Sequence, residues 1–167
     1  GQLVNIKVAP VSSPSGGPHI AVGMVFVASV PGEGLICNGT GATKPSASVA
    51  SYHMLHKTVE AWVTTESEFY GIIQKCKLRD FYVKLPAAPG AGKSLTFNLR
   101  VNGASVGTPN AVQVIISGTD TSGSDTTNTY TVPTDGLTCG MMCTPSGTPT
   151  VTEPQWAFGV LRKAQGW

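Results

Sequence analysis

Three groups of side chains in this 167-residue chain could do chemistry: a pair of histidines, a set of carboxylates and four cysteines. His53 and His56 sit three apart, which is a helical rather than a strand spacing for a shared site. H-x-x-H alone is a weak signal, and the pair reads as solvated loop or interface histidines. Glu60, Glu66 and Glu68 could supply a carboxylate pair, because residues 66 and 68 would share one face of a strand. Carboxylates on such a face usually serve solvation. Glycan hydrolysis would require two of them facing each other across a cleft. No G-x-S-x-G elbow occurs, and no nucleophile stands beside a base and an orienting acid. No catalytic residues are assigned, and the chain is read as a non-enzyme.

Asp120, Asp125 and Asp135 lie in Gly/Ser/Thr-rich stretches, where Asp favours turns by bonding its own backbone. The run GTDTSGSD only loosely resembles a calcium loop, which needs oxygen ligands at fixed, denser offsets. Cys139 and Cys143 are spaced for a zinc pair, but Cys37 and Cys76 are isolated and His19, His53 and His56 lie far back in the chain. In a strand, residues four apart lie on one face at roughly 13 Å, too far for a disulfide, whose Cα atoms lie within about 7 Å. The cysteines therefore read as buried apolar thiols. A long-range bridge from Cys37 or Cys76 is left open, as is the redox compartment. The segment Pro89–Ser94, PGAGKS, ends like a phosphate-binding loop, but that motif needs Gly where Ala87 stands and a helix afterwards. An alternating strand follows instead, so the segment reads as a hairpin connection between two strands. Asn38-Gly39-Thr40 is a formal glycosylation acceptor, meaningful only in a eukaryotic secretory setting. No cofactor-binding or metal-binding residues are assigned.

The elements that must position these residues are strands. Only 12% of residues are charged, about half the usual share, while Gly numbers 20 and Pro 12. Such a Thr- and Gly-rich composition suits an all-β domain with many turns. Phe81, Val83 and Leu85 alternate with Tyr82 and Lys84, and Pro86 to Gly92 then turns the chain. Leu95, Phe97, Leu99 and Val101 alternate with Thr96, Asn98 and Arg100. Asn102-Gly103 follows directly, the pair favoured in type I′ hairpins. Further runs span Val112 to Ile116, Thr126 to Val132, Leu137 to Cys143 and Pro154 to Arg162. Earlier in the chain, strands are expected at Gln2 to Ala9, Ala21 to Val30, Leu35 to Asn38, about Lys57 to Thr65, and within Ser67 to Leu78. Pro10 to Pro18 and Thr40 to Ser51 read as loops. About eight to ten short strands punctuated by Gly and Pro indicate an antiparallel β-sandwich of jelly-roll type.

The expected organisation is an N-terminal strand or arm with its Pro-Ser-Gly linker over residues 1–18, then a single sandwich domain over 19–167. At this size about 70% of the unfolded surface leaves water, so no disulfide is needed for stability. The chain opens on Gly1 rather than Met, so a processed or truncated product is expected. No apolar run reaches the ~18 residues of a transmembrane helix, and a soluble product is expected. The formal net charge is +2, with basic residues scattered rather than clustered, so neither nucleic acid nor membrane is an expected partner. Tyr52, Trp62, Tyr70, Tyr82 and Trp167 are the candidate interface residues, since aromatics bury large area at low entropic cost.

The run LRDFYVKLPAAPGAGKSLTFNLRVNG, then VIISGTDTSGSDTTNTYTVP and TPSGTP, resembles a module of tailed-bacteriophage virion proteins. These are capsid decoration (cement) proteins and tail-fibre modules with a jelly roll often compared with the C1q/TNF fold. The similarity covers about Lys77 to Trp156 and rests on structural turns. The chain departs from the pattern where Asp135-Gly136 stands in place of an expected Gly-Asp. The resemblance implies a virion structural protein, most directly a trimeric capsid decoration protein contacting major capsid protein or other virion proteins. The alternative is a tail-fibre or receptor-binding head recognising host surface glycan, and a third reading is a polysaccharide-degrading enzyme.

Overall fold

The computed structural model describes residues 31–40, 42–56, 61–68 and 71–162. The expected strands at Gln2 to Ala9 and Ala21 to Val30, and the linker between them, lie outside these residues. In chain order the described elements are β1 (Glu33–Gly39), β2 (Ser51–His53), a single 3-10 turn (Glu66–Glu68), β3 (Gly71–Ile73), β4 (Lys77–Lys84), β5 (Gly90–Val101), β6 (Ala104–Ser105), β7 (Gln113–Gly118), β8 (Ser122–Asp125), β9 (Tyr130–Thr131), β10 (Leu137–Ser146) and β11 (Gln155–Leu161). The long strands form where period-two alternation is cleanest. In β5, Leu95, Phe97, Leu99 and Val101 are all buried, and in β10 Cys139, Met141 and Cys143 are buried on one face.

Two antiparallel sheets pack face to face. One runs β1-β11-β4-β8, with β9 also on β4; the other runs β2-β10-β5-β6, with β3 also on β10 and β7 on β5. Both β2 and β3 lie along β10, at Met141–Cys143 and at Leu137–Cys139, so they are two halves of one broken strand. β8 and β9 divide the edge of β4 in the same way, and β6 is the short return of a hairpin from β5. Counted so, the fold has eight strands ordered first-eighth-third-sixth and second-seventh-fourth-fifth. That interlocking order is a jelly roll, as expected.

Several local expectations are corrected. Pro86 to Gly92 is not a hairpin: β4 and β5 belong to different sheets, so this segment carries the chain across the sandwich. Of the expected strand Lys57 to Thr65, residues 57–60 lie outside the described set. Val63 alone makes a bridge, to Tyr52. The stretch from Ser67 to Leu78 is split among the 3-10 turn, β3 and the start of β4. Strand structure within Thr126 to Val132 is limited to β9 and a bridge from Thr129 to Thr108, because Asp125 folds residues 127 and 128 back onto its own carboxylate. β8, with the sequence SGSD, was not expected.

Phe81 and Phe158 stack at the centre of the core, with ring centroids 4.2 Å apart and planes 5° from parallel. A bulge makes this contact. Ala157 pairs with Tyr82 and Gly159 with Arg79, so Asp80 and Phe81 together oppose Phe158. Asp80 takes φ 51° there, and the extra residue lets both Leu78 and Phe81 point inward although they are three apart. The two sheets approach closely where Gly123 faces Val114; a Cβ at Gly123 would lie 2.7 Å from Val114 Cγ1. The Asn102-Gly103 turn is as expected, with φ of 48° and 74° at its two residues.

Candidate functional site

His53 is the most enclosed titratable ring among the described residues. It projects inward from β2 and is fully buried, with Ser51 buried beside it and Tyr52 pointing the other way. Its Nδ1 lies 2.9 Å from the Met54 carbonyl oxygen, to which a protonated Nδ1 donates. Its ring centroid is 5.2 Å from that of Trp62 and 5.5 Å from that of Trp156. The Trp156 indole N–H donates to the Leu55 carbonyl at 2.9 Å, and Asn38 Nδ2 donates to the same oxygen at 3.4 Å. These contacts tie β1, β2, β11 and the segment around Trp62 into one aromatic plug. The reading of His53 as a solvated or interface histidine is therefore corrected: it is fully buried and packs between two indoles. His56 is exposed, and its ring lies against Gly71, where a side chain would collide with it. The two histidines do not share a site.

The carboxylates are also separated. Glu66 and Glu68 sit in the 3-10 turn rather than on a strand face, because Glu66 is drawn onto Arg100. Both Glu66 oxygens accept from the guanidinium, each at 2.8 Å, in the bidentate geometry that suits this pair. Arg100 also donates to Ser105 Oγ at 3.0 Å and to the Gly103 carbonyl. The group therefore fastens the 3-10 turn and the β5–β6 hairpin to the outer face of the β10–β5 sheet. Glu60 lies outside the described residues.

Asp125 acts as the sequence suggests for a turn aspartate, and does more. Its Oδ1 accepts from the backbone N–H of Thr127 at 3.2 Å and of Asn128 at 2.9 Å, and its Oδ2 accepts from Gln113 N at 3.0 Å. The Asn128 side-chain amide donates as well. Burial pushes this carboxyl up, but the combined hydrogen bonds from Asn128, Gln113 and Thr127 outweigh it and hold the group below the usual carboxylate range. Since Gln113 opens β7 and Asp125 ends β8, one carboxylate joins the two sheets at their corner. Asp135 accepts from Lys75 N at 2.6 Å, another turn-bracing role. Among the described residues, no three His, Cys, Asp or Glu side chains converge as metal ligands.

All four cysteines are free thiols. Cys76, Cys139 and Cys143 are buried, and Cys37 alone is exposed, on the outward face of β1. Burial pushes Cys143 far up and Cys139 up to about 11, the latter helped by the neighbouring Cys76 thiol. Pro89–Ser94 contributes the beginning of β5, with Gly90 and Gly92 at positive φ, and so lacks the helix N-terminus that cradles phosphate.

The candidate interface aromatics do not form one patch. Tyr52 points outward from β2 in one sheet, and Tyr82 points outward from β4 in the other, so they face opposite sides of the molecule. Trp62 is partly buried and packs against the core. Tyr70 and Trp167 lie outside the described residues. Sequence reasoning missed a different surface feature. At the side of the sandwich where, among the described residues, β1 and β3 are edges, Leu35 (50% exposed) and Ile72 (66% exposed) flank a shallow groove of about 290 Å³, also lined by Ile36, Ile73, Cys76 and Val160. The signal was present in the alternation of EGLICNG, whose outward set includes Leu35 and Cys37. A second depression of about 280 Å³, lined by Thr40, Pro86, Glu153 and Gln155 among others, lies elsewhere. Set against protein-family models and curated proteins, the chain matches none.

Proposed function

We propose that this protein is a non-enzymatic structural component of a tailed-phage virion, a capsid decoration protein that binds the shell as a trimer and stabilises it through contacts with the major capsid protein. The observation that carries the reading is the pairing of Leu35 and Ile72 across one groove at the open side of a jelly roll. Exposed aliphatic side chains gathered along an edge suit burial against another protein surface, and jelly rolls recur in viral capsid domains. The tail-fibre alternative would draw on aromatic side chains stacking on sugar. The opposite facing of Tyr52 and Tyr82 gives that reading less support.

Light scattering on a sizing column, followed by cosedimentation with undecorated phage shells and with host cells, tests the proposal. The expected result is a mass of three times 17.3 kDa, with saturable binding to shells and none to cells. Binding to cells or their polysaccharide, without binding to shells, overturns it in favour of a fibre head. A glycan-cleaving activity abolished by joint Glu66→Gln and Glu68→Gln substitution would overturn the non-enzymatic reading.

A further inference from the structure

We draw no further inference here: the strongest candidate, the shallow apolar groove of about 290 Å³ between the edge strands β1 and β3, flanked by the exposed Leu35 and Ile72, carries none because nothing in the structure shows what covers it.

Discussion

The carboxylate of Asp125 accepts backbone hydrogen bonds from Gln113, Thr127 and Asn128, donors that lie on β7 and in the turn after β8. Replacing Asp125 with Ala would leave these N–H groups without their acceptor, at a cost of about 1–3 kcal/mol per buried donor left unsatisfied. Because the folded state holds the carboxyl below its usual range, its proton-linked contribution is complete above the unfolded value of about 3.9. That contribution is lost as pH falls through the lower folded value. Urea denaturation of wild type and Asp125→Ala at pH 7 and at pH 3 should therefore show a stability gap that narrows in acid. A gap of equal size at both pH values would contradict the charged clamp. The thiols allow a second test at this scale. A disulfide reagent at pH 8 should modify Cys37 alone in the native protein and all four cysteines in denaturant. Rapid modification of two or more in the native state would show that the Cys76, Cys139 and Cys143 sites are open. The histidines mark where residue-level reading stopped. His53 is enclosed by Trp62 and Trp156, the latter 103 positions away by numbering, and local spacing carries no trace of such a contact.

Strands were legible wherever side-chain alternation was uninterrupted. β5, β7, β10 and β11 bury the residues that the period-two pattern points inward. β8 was illegible because SGSD has no apolar side chain to reveal its inward face. Its inward residues are Gly123 and the polar Asp125, and Val114 occupies the space a side chain at Gly123 would need. Gly123→Val should overpack this contact between the sheets and cost about 1–3 kcal/mol, whereas Ser124→Val, one position along and outward, should stay within about 0.5 kcal/mol of wild type. Thermal denaturation of both variants distinguishes them; equal stability would mean that the sheets can separate there at little cost. The β4 bulge was hidden for a related reason. Leu78 is out of phase with Phe81, Val83 and Leu85, and only the pairing of Asp80 and Phe81 against Phe158 brings all four inward. The break between β2 and β3 was equally hidden, because the excursion between them is fixed by distant partners: Arg100 for Glu66 and the indole of Trp156 for the carbonyl of Leu55.

For the whole molecule, the jelly-roll class followed from strand number, turn chemistry and composition, but partner choice did not. β4 and β5 read as neighbours in a hairpin and in fact belong to opposite sheets, while β1 near the start of the described chain pairs with β11 near its end. Partner choice also decides where the candidate site residues lie. Aromatic residue types suggested an interface, yet topology sends Tyr52 and Tyr82 to opposite faces and folds Trp62 into the plug around His53. The aliphatic pair at the β1–β3 side became visible only once two distant edges were placed together. The proposed shell-reinforcing role is tested most directly by the rupture temperature of undecorated phage shells, followed by release of an encapsulated dye, with and without this protein. The expected result is a saturable rise in rupture temperature that is lost when Leu35 and Ile72 are both replaced by Asp while the isolated variant keeps its own thermal stability. An unchanged rupture temperature at saturating wild-type protein would contradict it.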